Sequence, residues 1–352
     1  MPRDPGERRE APLELRGQDH PLSGLDPEQE AAATSAASRV LVRGGPGSGK
    51  TEALVARAAW RASLGCDRNP LFLAPTPEGR RRLEQALAAR WQTGPWPETG
   101  LLGRGAERLL RGGLDGRQVY LDALDTLEEH GRTRLASWLA QTADATLALG
   151  SPGGLWGRRL GAEPHLLTWS HRCSGAILAV VEAVAGEPLG LRAGAEGVPV
   201  ALVRCGGPQI EREFAVEQVA AAVGEASSPD RVAVLCPKER DCAPLRSALV
   251  ARKLPVAAGR GAVGVQLGGL DRPPGAEVDT LLVMGVAAGA QVERDDLWRA
   301  LALAREELIL TYAVVAGTSA APLPWLTDLP SWAVLYSAPD LVRPSPGQLW
   351  LF

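Results

Sequence analysis

The run Gly44-Gly45-Pro46-Gly47-Ser48-Gly49-Lys50-Thr51 satisfies the pattern G-x4-G-K-T without departure. Its chemistry is anion binding. Glycines let backbone N–H groups converge on phosphate oxygens, and a helix start behind them adds a favourable dipole. Lys50 is expected to neutralise phosphate charge and Thr51 to hold Mg²⁺, with ATP as the ligand. Lysine occurs only at Lys50, Lys238 and Lys253; every other member of the 38 basic residues is arginine. Arginine's planar fork suits a phosphate cradle poorly, whereas an ammonium on a flexible stem suits it well. A glycine-rich turn matching by chance is the bland reading. It is disfavoured because an apolar strand, a helical pattern and a rare lysine all fall in the required places.

Other reactive residue types are scattered. Cys66, Cys173, Cys205, Cys236 and Cys242 are odd in number and contain no CxxC pair. That predicts a reduced, cytoplasmic setting with neither a zinc site nor a disulfide framework. Cys236 and Cys242 flank a Lys-Glu-Arg-Asp turn and read as small buried or semi-exposed thiols. His171 has no Ser or Cys arrangement around it and reads as a packing residue. Arg80-Arg81-Arg82 is a basic cluster, either solvated helix surface or a phosphate contact.

The elements that must position the loop follow from periodicity. A helix is expected after Leu25-Asp26 with Pro27 in its first turn. Arg39–Val42 reads as the strand before the loop and Thr51–Leu64 as the helix after it. Leu71–Ala74 is a second strand and Pro77–Arg90 a helix. Gln118–Leu121, Thr146–Leu149, Val198–Val203, Val232–Leu235, Thr280–Met284 and Leu308–Tyr312 read as further buried strands. Strands alternating with helices predict an α/β fold with mainly parallel sheets.

With 352 residues, 45% of them apolar, the chain is long enough for about two domains and too apolar for wholesale disorder. Net charge is −3, so no strong basic field holds nucleic acid by electrostatics alone. No apolar run approaches the length of about 18 residues that a membrane span needs, and Met1–Gly24 lacks the apolar stretch of a secretory signal. The expected organisation is a flexible tail over 1–24, a first lobe over 25–163, a second over 164–317, and a Pro- and Trp-rich irregular strap over 318–352.

Leu25-Asp26-Pro27-Glu28-Gln29 followed by VLVRGGPGSGKT resembles the start of a superfamily 1 helicase of the UvrD/Rep type. The resemblance continues in order. LFLAPTPEGRRRLEQAL (71–87) resembles motif Ia, and VYLDALDT (119–126) sits at the D-E-x-Q-D motif. GSPGGLWGRRLGA (150–162) sits at G-D-x-x-Q, and LTWSHRCSGAIL (167–178) resembles N-Y-R-S. GLDRPPGAEVDTLLV (269–283) sits at H-x-x-K-G-L-E, and LWRALALAREELILT (297–311) at Y-V-A-L-T-R-A. The segments between motifs are too short for the family's inserted helical subdomains, which implies a P-loop NTPase of two bare RecA-like lobes. The resemblance implies adenine contact by Gln29, Mg²⁺ support by Asp122, an arginine finger at Arg172, and single-stranded DNA contact at Thr76 and the neighbouring Arg80.

Departures fall on catalytic positions. Ala123 stands where the family has the Glu that polarises attacking water, so the general base is missing. Leu303 stands at the second arginine finger, with Arg305 expected on another side of a helix. Asp271-Arg272-Pro273-Pro274-Gly275-Ala276-Glu277 retains the Gly and Glu of its motif but loses its His and Lys. Trp156 and Trp169 read as base-stacking aromatics or as packing residues. Three functions follow. One is an ATP-binding pseudo-helicase acting with a protein partner, a nuclease or helicase subunit, in DNA repair, recombination or defence. Another is an active single-stranded DNA translocase using Asp125 or Glu128. The third is a P-loop phosphotransferase acting on a small molecule.

Overall fold

The computed structural model describes residues 20–66, 69–92, 94–102, 118–122, 124, 135, 145–149, 161–186, 190–226, 228–259, 262–274, 277–314, 321–327 and 329–337. The chain divides into two compact units. One comprises Met1–Arg43 with Gly49–Leu167, the other Gly44–Ser48 with Thr168–Phe352.

The first unit runs α1 (Pro27–Thr34), β1 (Arg39–Gly44), α2 (Lys50–Ser63), β2 (Leu71–Ala74), α3 (Pro77–Arg90), β3 (Glu98–Leu101), β4 (Val119–Leu121), β5 (Ala145–Leu149) and β6 (Glu163–Leu167). The helix starts are written in the sequence. Asp26 caps α1 in a reciprocal box with Gln29, and Thr76 caps α3, each with a proline at the first turn. The six strands lie in the order β3-β2-β4-β5-β1-β6. Pairs β1–β5, β2–β3, β2–β4 and β4–β5 are parallel. Strands β2 and β4 are buried along their whole length, as continuous apolar runs in parallel sheets require. Alternate residues feed opposite faces. Leu71, Leu73, Val119 and Leu121 pack on one side, while Phe72, Ala74 and Tyr120 meet Leu54, Val55 and Leu83 on the other. Phe72 stacks on Tyr120 with ring centroids 4.8 Å apart, worth about 1 kcal/mol beyond area burial.

The second unit runs β7 (Trp169–Ser170), α4 (Gly175–Ala185), β8 (Arg192–Ala193), β9 (Val200–Cys205), α5 (Pro208–Glu225), β10 (Val232–Cys236), α6 (Ala243–Ala251), β11 (Gln266–Gly269), β12 (Val278–Val283), α7 (Arg294–Leu301), β13 (Ala304–Ala313) and β14 (Val334–Ser337). Its six-stranded sheet has the order β11-β10-β12-β13-β9-β14, every pair parallel. Helices α4 and α7 cover one face through Ile177, Leu297 and Leu301, and α5 and α6 the other through Val216, Val219 and Leu245. Numbered within each six-stranded sheet, with the separate β7–β8 pair set aside, the two sheets share the order 3-2-4-5-1-6, so the units repeat a topology.

Several expectations are corrected. The boundary expected at 163/164 falls inside β6, which is a strand of the first sheet, so the first unit ends at Leu167. Residues 20–24 of the expected tail are packed: Leu22 is buried with Ala33 and Ala56, and the carbonyls of Pro21 and Ser23 accept from Arg90. The strap contains β14, which pairs with β9. Arg305 is the second residue of β13, not a helical residue. Strands β3 and β11 escaped the sequence because glycine weakens the apolar pattern of ETGL and QLGG.

Candidate functional site

In the first unit, α2 starts at Lys50, directly after Gly49. Gly49 is left-handed at φ 76° and Gly47 at φ 70°, a conformation that glycine adopts without a Cβ penalty. A side chain on Gly49 would also run into the Gln29 amide. No side chain caps α2, in contrast to α1 and α3. A helix start without a side-chain cap is the arrangement that an anion-binding helix uses.

Thr51 Oγ1 donates to Asp122 Oδ2 at 2.8 Å. Asp122 follows β4, is buried, and has its own N–H fixed by the Leu73 carbonyl at 3.0 Å. One hydroxyl and one carboxylate suit Mg²⁺, which takes few protein oxygens and completes its shell with water and phosphate. No group of three or more His, Cys, Asp or Glu that could hold a metal occurs among the described residues.

Gln29 is buried on α1. Its Oε1 accepts from the Asp26 N–H at 3.1 Å, its own N–H donates to Asp26 Oδ1 at 2.8 Å, and its amide lies against Gly49. A buried amide held in one orientation beside the loop can read a base edge.

Gly44–Ser48 groups with the second unit. The Pro46 carbonyl accepts from Ser170 Oγ at 2.9 Å and the Gly47 carbonyl from the His171 N–H at 2.9 Å. A Cβ on Gly47 would meet Arg172, and one on Gly45 would meet Leu191. Arg172 is tethered: Nη1 pairs with Glu277, and Nη2 donates to the Ala302 carbonyl at 2.8 Å. Its buried Nε has no hydrogen-bond partner among the described residues. Beside it, burial pushes the Cys173 thiol up, partly offset by the Arg172 charge. His171 is exposed, which corrects its reading as a packing residue. Trp169 is 37% exposed in β7.

Thr76 spends its hydroxyl as an acceptor for the Gly79 N–H at 3.1 Å, so its plain role is to cap α3. Arg80 pairs with Glu84 at 3.3 Å on the exposed helix surface. Ala123, Asp125, Glu128, Trp156 and Gly275 lie outside the described residues. The alanine at 123 supplies no proton acceptor by its identity alone.

Sequence reasoning missed Arg57, because arginine is common here. It is 1% exposed in α2 and donates to Thr146 Oγ1 at 3.0 Å and to the Ser35 and Ala37 carbonyls at 2.6 Å each. The signal was available: a charge inside ALVARAAW, at a position that α2 buries.

A family model described as an AAA domain matches residues 28–99, from the start of α1 into β3. No curated protein matches the chain. Among solved structures, the chain is similar to the C-terminal domain of a possible DNA helicase from Lactobacillus plantarum WCFS1. Identity there is 19% over 47% of this chain and 98% of that one, with a TM-score of 0.37. It is similar to the arterivirus nonstructural protein 10 helicase, 16% identical over 81% of this chain and 61% of that one, at a TM-score of 0.44. It is also similar to the PRRSV helicase, 15% identical over 86% and 56%, at 0.47. The chain thus spans less than two thirds of both viral helicases.

Proposed function

We propose that this chain is an ATP-binding protein of the UvrD-like superfamily 1 helicase type with degraded catalytic motifs. It binds ATP with Mg²⁺, turns it over weakly or not at all, and serves as a structural or regulatory partner of a nuclease or helicase subunit in DNA repair, recombination or defence. The observation that carries this reading is the Thr51–Asp122 contact of 2.8 Å beside Lys50 at an uncapped helix start. Lys50 and the loop amides hold the phosphates, Thr51 and Asp122 hold the Mg²⁺, and Gln29 holds the base. Mg²⁺ supplies charge neutralisation at the phosphates when bound. The loss of turnover is read from Ala123 and Leu303, which remove a general base and an arginine finger, each worth several powers of ten in rate by about the usual scale. Arg172, tethered to Glu277 and the Ala302 carbonyl, is the remaining finger candidate.

The test is equilibrium binding of a fluorescent ATP analogue with Mg²⁺, run beside ATPase with and without single-stranded DNA. Saturable binding, weakened at least about tenfold by Lys50→Ala, with background turnover, is expected. Robust DNA-stimulated turnover abolished by Lys50→Ala overturns the non-hydrolysing reading in favour of an active translocase. Absence of nucleotide binding in the folded wild type overturns both. Turnover indifferent to DNA and stimulated by a metabolite restores the phosphotransferase.

A further inference from the structure

We propose that Cys236 and Cys242 form a dithiol that hydrogen peroxide converts to an intramolecular disulfide, a modification site independent of the nucleotide loop. The geometry is specific. Cys236 ends β10, and Cys242 closes the 3-10 turn Glu239–Cys242 at the start of α6. The five residues between them double back, and the two sulfurs lie 2.8 Å apart. That is inside the contact distance of two sulfurs and within one ångström of the bond length of about 2.05 Å in a disulfide. Cys242 Sγ also lies 3.2 Å from the Gly268 carbonyl, and the Cys236 carbonyl accepts from Leu270 N–H at 2.9 Å, so β11 and the residue after it hold both ends of the turn.

The remaining cysteines provide the contrast. Cys173 and Cys205 are buried and Cys66 is exposed; the Cys173 thiol donates to the Ala304 carbonyl at 3.3 Å and the Cys66 thiol lies 3.8 Å from the Leu64 carbonyl, and none of the three meets a second sulfur among the described residues. Burial pushes the Cys205 thiol up to about 12. In the pair, the Cys236 thiol holds Cys242 below the ordinary range, while that contact and burial push Cys236 up. Cys242 is therefore the attacking sulfur. Both sulfur-bearing residues are buried, yet Cys242 is bracketed by exposed Asp241, Ala243 and Pro244. It is 3% exposed itself and lies directly beneath this surface turn.

The chemistry balances. The Cys242 sulfur attacks one peroxide oxygen, the O–O bond breaks, and the leaving hydroxide takes the Cys242 proton as water. The Cys236 sulfur then attacks the resulting sulfenic sulfur. The S–O bond breaks, and the second hydroxide leaves as water with the Cys236 proton. Two thiols lose two electrons and two protons, and one peroxide becomes two waters. The bond ties the end of β10 to the start of α6 across the turn that presents Lys238 and Arg240.

The test uses the full reduced chain, treated with hydrogen peroxide, quenched with catalase, then denatured and alkylated. Five free cysteines are present before treatment. Cys66 serves as the internal control for exposure to oxidant. Trypsin cuts after Lys238 and Arg240, inside the turn, so the disulfide is read as two linked peptides that separate on reduction. The expected result is that linkage, with Cys173 and Cys205 still alkylated. In Cys236→Ser the resolving thiol is absent, and Cys242 is expected to be trapped as a sulfenic acid by dimedone. Oxidation of Cys66 with Cys236 and Cys242 both still alkylated overturns the proposal. So does a linkage of either residue to a different cysteine.

Discussion

At the scale of residues, the candidate site depends on a few side chains held in place by named partners. Asp122 receives the Thr51 hydroxyl and is itself fixed by the Leu73 carbonyl, so the carboxylate and hydroxyl are set before any ligand arrives. Gln29 carries two tasks, half of a capping box and the wall of Gly49. Gln29→Ala is therefore expected to lower stability by about 1 kcal/mol, as loss of a cap does. It is also expected to erase any preference for ATP over GTP. Urea denaturation and competition binding check the two effects separately. Cys205 gives a pH prediction. Its ordinary value is 9.0, and burial, with Glu211 adding to it, raises it to about 12 in the folded chain. Above pH 9 the unfolded chain releases this proton while the folded chain keeps it. Stability is thus fully present below about 9 and falls as pH rises towards about 12. Cys205→Ala is expected to flatten that alkaline fall in denaturation series, whatever its cost at neutral pH.

At the scale of elements, α2 organises the first unit. It begins at Lys50, and two turns later Arg57 reaches back to the end of α1 and the chain entering β1. The helix that begins at Lys50 thereby anchors the helix that carries Gln29. Arg57→Leu leaves the Ser35 and Ala37 carbonyls and the Thr146 hydroxyl without this donor. It is expected to cost about 3 kcal/mol or more, read as a lower urea midpoint, with nucleotide affinity falling as α1 loosens. Helix α3 gives a milder case. Thr76→Ala removes a cap and is expected to cost about 1 kcal/mol whether or not DNA is bound. A defect in DNA binding at unchanged stability would instead assign Thr76 to DNA.

At the scale of the molecule, two sheets of one strand order carry different loops after their first strands. Between β1 and α2 the chain spends Gly45–Gly49; between β9 and α5 it spends only Gly206 and Gly207. In the second unit a carboxylate stands near that turn: Glu211 accepts from Gly285 N–H at 2.9 Å and from Thr311 Oγ1 at 2.6 Å. A carboxylate there would repel phosphate, so among the described residues only the loop after β1 combines the G-x4-G-K-T pattern with a turn free of carboxylates. On the proposed reading the departures from the helicase motifs lie in both units, Ala123 in the first and Leu303 in the second. Ala123→Glu alone is accordingly expected to leave DNA-stimulated ATPase at background, because Leu303 is unchanged. Turnover restored by that single change would assign the whole defect to residue 123.

Much of this was legible in the chain itself. The G-x4-G-K-T spacing, the helix start after Leu25-Asp26 with Pro27 in its first turn, and the fully apolar runs of β2, β4 and β10 are local patterns. Local patterns survive because helix caps, turn glycines and two-sided burial act over a few residues. Tertiary structure decided what depends on distant partners. It placed β6 in the first sheet and β14 beside β9, because strand membership is set by pairing and not by local pattern. It buried Arg57 by supplying carbonyls more than fifteen positions away. It tethered Arg172 to Glu277 and brought Cys236 to Cys242. Composition made arginine and cysteine uninformative; only the folded path of the chain determines which of them meet a partner.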